Sequence, residues 1–262
     1  RGSCTYQTTF AKPAFDADTQ QVWLQFEGVN ASAAVTLNGT EVIRHDGGYS
    51  TFRADITALL AEQNTLTVIA DNSKNDRVYP QKADFTFYGG IYRDVTLLVV
   101  NKNHLALDYL GGPGVQITPT VNGSNAVEFT VYEVGGSEVV SGKGSDTTVT
   151  IKHPHLWDGV RDPYLYTCVV RLVLNGEVQD EVSQRFGVRS FSVDSKQGFF
   201  LNGRPYPLHG VSRHQDRKGL GNAITREMHD EDMQFIKELG ANTIRLAHYQ
   251  HDQYFYDLCD EA

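Results

Sequence analysis

The sequence predicts a multidomain chain in which two β-sandwiches precede the beginning of an α/β barrel. Short apolar runs separated by polar turns fill residues 1–190. After Phe191 the period changes, and strand, helix, strand, helix follow within the remaining residues. At 262 residues, with 40% hydrophobic and 11% aromatic content, the chain is long enough for more than one buried core. A net charge of −9 without long runs offers no footprint for nucleic acid and no basic membrane patch. No apolar run approaches the roughly 18 residues that span a bilayer. Arg1 to Phe10 lack the apolar stretch of a signal peptide and read as a strand already in progress. A soluble protein is expected, cytoplasmic or periplasmic, with the compartment left open. Cys4, Cys168 and Cys259 are odd in number and far apart, which suits free thiols.

Residues 1–102 read as the first sandwich, with its first strands missing. Val22-Trp23-Leu24-Gln25-Phe26 and Ala34-Val35-Thr36-Leu37 alternate, and Asn38-Gly39 then leads into Glu41-Val42-Ile43. Asn-Gly between two such runs is a hairpin signal, because both turn positions need positive φ. Strands follow at Leu66 to Ala70 and Val95 to Val100, with a short helical turn near Ile56 to Leu60. Residues 103–191 read as a second sandwich. Its strands are expected near Val127 to Val134, Thr147 to Lys152 and Tyr166 to Leu174, the last turning at Asn175-Gly176. The length suits an immunoglobulin-like architecture, without its Cys-Trp-Cys arrangement.

Residues 192–262 read as the first βαβα part of an eight-stranded barrel. Phe199 to Pro205 forms a small hairpin, and Pro207-Leu208-His209-Gly210-Val211 a buried strand. Thr225 caps a helix to Leu239 whose Met228, Phe235, Ile236 and Leu239 share a face, and Gly240 ends it. A strand at Asn242 to Ala247 follows, and Asp252 opens a helix with Phe255, Leu258 and Cys259 at i, i+3, i+4. A parallel pair alone leaves both sheet edges open, so the rest of the barrel is expected outside this chain.

Three stretches together carry a resemblance. They are Asp84-Phe85-Thr86-Phe87-Tyr88-Gly89-Gly90-Ile91-Tyr92-Arg93-Asp94-Val95; the run Phe186-Gly187-Val188-Arg189, Gly198 to Gly203 and Gly210 to Asp216; and Asn242 to Tyr249. In this order they resemble glycoside hydrolase family 2, especially its β-galactosidases, over nearly the whole chain. The resemblance implies a galactose-binding-like jelly-roll, an immunoglobulin-like domain and the start of a (β/α)8 TIM barrel. It also implies a retaining exo-glycosidase acting on β-galactosides or related carbohydrates, with β-glucuronidase the nearest alternative. Leu246, Gln250 and Ser212 depart from the usual pattern, which suggests a subgroup. A noncatalytic carbohydrate-binding module is the reading from another class, but it leaves the barrel-like tail without a use.

The resemblance places both catalytic glutamates on later strands, beyond Ala262, so no catalytic residue is expected in this chain. Glu227, Glu231, Glu238 and Glu261 fall in predicted helices and read as solvated faces. Asp84 is implied as a ligand for sugar hydroxyls, since a carboxylate accepts strong hydrogen bonds from adjacent hydroxyls. His214 and His248 follow the two predicted barrel strands, on the rim where loops build sites, and are implied as sugar-binding imidazoles. Arg245 is implied to support the nucleophile; strict alternation puts it opposite His248, so the strand end must bend if both serve one site. Arg213 and Asp216 read as loop-ordering residues or a surface ion pair. The pairs His248/His251 and His153/His155 lack a third ligand and zinc spacing, so no metal site is expected here. No cofactor is expected in this chain, which leaves room for a divalent cation in the complete barrel and for a homo-oligomer.

Overall fold

The computed structural model describes residues 1–107, 119–120, 126–144 and 147–262. These form two compact units. The first holds residues 1–102, 107 and 215–224, and the second residues 103–106, 119–120, 126–144, 147–214 and 225–262.

In the first unit the strands are β1 (Ser3–Ala11), β2 (Gln20–Phe26), β3 (Val29–Asn30), β4 (Ser32–Leu37), β5 (Thr40–Asp46), β6 (Phe52–Asp55), β7 (Gln63–Asp71), β8 (Gly90–Ile91) and β9 (Val95–Asn101). One sheet runs β1-β7-β4-β5, a second β6-β2-β9, and β3 pairs with β8. All pairings are antiparallel. Alternation decides what they bury: Val22, Leu24 and Phe26 of β2 face Ala33, Val35 and Leu37 of β4 and Leu66, Val68 and Ala70 of β7 in one core. Each large side chain there is worth about 1.5–3 kcal/mol relative to exposure. Phe26 stacks on Phe52 at 4.9 Å between ring centroids. The Asn38-Gly39 hairpin forms as expected, with φ of 50° and 84°. The Asn38 amide also accepts from Thr65 N and donates to Leu59 O. The helical turn after Ile56 is a single 3-10 turn, Thr57–Leu59.

In the second unit, β10 (His104–Leu105) pairs with β11 (Pro119–Thr120), and β12 (Ala126–Tyr132), β13 (Glu138–Lys143), β14 (Tyr166–Leu174) and β15 (Glu177–Phe186) form a sheet in the order β13-β12-β14-β15. Leu105, Val127, Val170 and Leu172 make its core. The β14–β15 turn is Asn175-Gly176, again with both φ positive. The expected strand at Thr147 to Lys152 is absent; β13, which ends before it, forms the edge of this sheet beside β12. Thr147 to Thr150 are exposed and in no ladder, so their β-branched side chains have no pleated neighbour to pack against.

The tail begins with β16 (Phe191–Asp194), β17 (Gly198–Leu201) and β18 (Arg204–Pro205), a three-stranded meander turning at Asn202-Gly203. Then come β19 (Gly210–Arg213), α1 (Arg226–Glu238), β20 (Thr243–Leu246) and α2 (Gln253–Glu261). β19 and β20 are parallel, with Gly210 opposite Thr243 and Arg213 opposite Leu246. The strand expected at Pro207 starts only at Gly210, because Asn242 intercepts the earlier backbone: its side chain accepts from His209 N and donates to Pro207 O. The face of α1 also differs from expectation. His229, Met233 and Ile236 are buried, whereas Phe235 and Leu239 are 52% and 73% exposed. A reading that weighs only hydrophobicity passes over His229, which is buried because it has a polar partner. Thr225 stands at the N-cap without a capping hydrogen bond; it bonds the Glu227 carboxyl instead and holds it below its usual range. Asp252 does cap α2, accepting from Tyr254 N. Gly240, at φ 71°, follows α1.

Candidate functional site

Parallel pairing of β19 and β20 in this register brings the residues after Arg213 and after Leu246 to the same end of two adjacent strands. His214 and His248 meet there, with ring centroids 5.2 Å apart and planes at 78°. Tyr249 lies 6.0 Å from the His214 ring. β20 ends at Leu246 and the chain bends at His248 and Tyr249, which overcomes the alternation separating Arg245 from His248. The Arg245 guanidinium donates to His248 Nδ1 at 2.9 Å. Because arginine has no acceptor, His248 presents Nδ1 as a lone pair, and its neutral tautomer carries the proton on Nε2.

Beneath this end of the strands lies a buried network that sequence reasoning missed. Arg213 is only 7% exposed, and its partner is not Asp216. Its Nε and Nη2 both donate to Asp232 Oδ2, at 2.9 and 2.6 Å. Nη1 donates to His251 Nδ1 and Nη2 to His229 Nδ1, each at 3.1 Å. The guanidinium carbon sits 3.8 Å from the centre of the Phe255 ring. Burial pushes the guanidinium below its ordinary value, opposed by the Asp232 carboxylate. His251 Nε2 then faces Ala247 O at 3.5 Å, so the network reaches the residue before His248. One arginine thus ties β19 to α1 and α2. The available signal was the spacing of His229 and Asp232, three apart on one helix face, but nothing in the sequence marks that face as inward.

The four glutamates of the tail helices are exposed; Glu261 pairs with Arg185 and Glu238 accepts from Gln234. Burial pushes the Cys259 thiol up to about 11, which makes it a poor nucleophile at neutral pH. Among the described residues no group of three His, Cys, Asp or Glu side chains converges as a metal site would, and no helix is long and apolar enough to cross a membrane.

Asp84 belongs to the first unit and is exposed. The segment around it is organised by aromatic packing: Phe85 stacks on Phe87 at 4.6 Å, and Arg1 lies over Phe87. Asn72 donates to Phe87 O at 3.1 Å. Tyr88 is packed against Gly221, where an added Cβ would stand 2.7 Å from the ring.

Residues 1–105 match the model "Glycosyl hydrolase 2 galactose-binding domain-like", residues 95–189 "Glycosyl hydrolases family 2", and residues 192–262 "Glycosyl hydrolases family 2, TIM barrel domain". A β-glucuronidase of Bacteroides fragilis is 37% identical over 92% of this chain and 39% of its own length. A β-galactosidase of Bacteroides ovatus is 31% identical over 97% of this chain and 32% of its own length. The crystal structure of an FMN-binding β-glucuronidase from Facaelibacterium prausnitzii L2-6 is similar at a TM-score of 0.91 and 43% identity, covering 99% of this chain and 44% of that one. The chain therefore spans less than half the length of each of these relatives.

Proposed function

The chain belongs to glycoside hydrolase family 2, and from that premise we propose that it supplies the sugar-orienting wall of a retaining exo-β-glycosidase. The observation that carries this reading is the convergence of His214, His248 and Arg245 at the ends of two parallel strands. Barrel enzymes build their sites at that end. A His248 imidazole held as the Nε2–H tautomer donates to a hydroxyl of the terminal sugar, and His214 accepts or donates beside it. Arg245 holds the nucleophilic carboxylate ionised through charge-assisted hydrogen bonds. Asp84, in the first unit, is by itself a carboxylate suited to accept hydrogen bonds from adjacent sugar hydroxyls. The acid/base and nucleophile glutamates, about 5–5.5 Å apart in retaining enzymes, belong to later barrel strands.

Two readings of the sugar rest on different observations. A terminal β-D-glucuronide is supported by two relatives named β-glucuronidase, 37% and 43% identical, against 31% for the Bacteroides ovatus β-galactosidase, while a structure named a putative β-galactosidase from Bacteroides fragilis is 37% identical. A terminal β-D-galactoside is favoured by Arg213-His214-Gln215-Asp216, which is similar to β-galactosidases rather than to the lysine-bearing glucuronidase pattern.

The test uses the full-length protein that carries this chain, with p-nitrophenyl β-D-glucuronide and β-D-galactoside side by side. Release of nitrophenol from one of them, with His248→Ala lowering kcat/KM about a hundredfold or more, is the expected result. Cleavage of neither glycoside would overturn the activity. Unchanged kinetics in His248→Ala would overturn the site.

A further inference from the structure

The residues on either side of His248 meet the same buried histidine. Ala247 is buried; its N–H donates to Arg213 O at 2.9 Å, and its carbonyl faces His251 Nε2 at 3.5 Å. On the other side of His248, the Tyr249 ring lies 5.4 Å from the His251 ring. All of these residues belong to the second unit. His251 is 3% exposed and is itself held. Its ring lies 6.1 Å from that of Phe255, and the Arg213 guanidinium, seated over Phe255, donates to its Nδ1 at 3.1 Å. Arginine carries no acceptor, so this contact needs a lone pair on Nδ1 and leaves the proton of the neutral imidazole on Nε2. Nε2 is the atom turned to Ala247 O, so the donor this carbonyl meets is set from the far side of the ring. Asp232 accepts twice from the same guanidinium and keeps it in place.

The place of the His248 imidazole therefore has two supports. Arg245 donates directly to its Nδ1, and His251 holds the backbone from which it projects, through Ala247 before it and Tyr249 after it. Fixing that backbone leaves the imidazole only its side-chain torsions, and these are constrained by Arg245 and the His214 ring. We propose that His251 is a positioning residue for His248, with its own tautomer set by Arg213. This rests on the reading of His248 as a substrate ligand given above. A ligand displaced by about 1 Å can cost up to a hundredfold in rate, so His251 acts on turnover without touching the sugar.

The experiment is a double-mutant cycle in the full-length protein, on whichever aryl glycoside it cleaves. Wild type, His251→Asn, His248→Ala and the double variant are compared in kcat, KM and Tm, with His251→Gln beside them. An asparagine amide stands near the place of Nδ1, so it still accepts from Arg213 but falls short of Ala247. A glutamine amide reaches the place of Nε2, so it still donates to Ala247 O but leaves Arg213 without that acceptor. His251→Asn should lower kcat/KM about tenfold or more, and His251→Gln should keep most of the wild-type value. The reverse order would mean that the histidine serves Arg213 alone, and overturns the proposal. In the His248→Ala background His251→Asn should cost nothing further, an outcome that general destabilisation does not produce. Losses that multiply in the double variant, or a His251→Asn enzyme with wild-type kinetics, also overturn the proposal while leaving the glycosidase reading intact. Unchanged kinetics in His248→Ala removes the substrate-ligand reading, and a wild type inactive on both glycosides removes the glycosidase reading; the proposal falls with either. If His251→Asn fails to fold, His251→Phe, which keeps a ring against Tyr249 and Phe255 and removes both nitrogens, takes its place in the same cycle.

Discussion

Arg213 shows what a single residue does here and how little of it a sequence reveals. Its ligands lie 16, 19 and 38 positions further on, so the loop-ordering or surface-pair reading had no local pattern to correct it. His214, His248 and Arg245 each belong to a short motif, and the structure brings their side chains together at one strand end. Replacing Arg213 with methionine keeps bulk over Phe255 but leaves the Asp232 carboxylate, 24% exposed, and two buried imidazoles without their donor. The expected loss is about 3 kcal/mol of unfolding free energy in a urea titration of this chain. A loss below about 1 kcal/mol would mean that the network contributes packing alone.

Among elements, those written in local chemistry were readable. Asn38-Gly39 and Asn175-Gly176 give hairpins because asparagine and glycine adopt positive φ cheaply, and Asp252 caps α2 as its position suggests. Elements decided by a distant partner were not readable. Thr147 to Lys152 has strand composition but no ladder, and β13, which ends before it, forms the sheet edge. β19 starts where Thr243 begins to pair, not where apolar residues begin. Gly210 is the position where this matters most, since a Cβ would stand 2.5 Å from Thr243 Cγ2 and 2.9 Å from its carbonyl oxygen. Gly210→Ala should therefore push the two barrel strands apart and cost about 2 kcal/mol, visible as a lowered Tm. An unchanged Tm would show that the β19–β20 pair yields to the extra carbon without strain.

At the scale of the whole molecule, the second unit joins an immunoglobulin-like sheet to the barrel segment at a few sites on α2. The Trp157 indole donates to Asp260 O at 2.7 Å, Arg189 lies over the Trp157 ring and pairs with Asp260 at 3.5 Å, and Arg185 pairs with Glu261. Trp157 also fills the space beside Gly187, where a Cβ would meet it at 2.7 Å. Removing the indole donor and much of the ring with Trp157→Leu should split the calorimetric melt of this unit into two transitions. A single transition, merely shifted, would show that other contacts suffice to couple the two parts. The same buried arginine also has a meaning in time. A ribosome delivers Arg213 before Asp232 and His229, and His251 later still. A lone guanidinium is costly to bury, so burial of the β19 end is expected to wait for the first helix, whose Asp232 carboxylate neutralises it. The second helix, which brings Phe255 against the same guanidinium, is expected to close last, so that the order of assembly follows the order of synthesis.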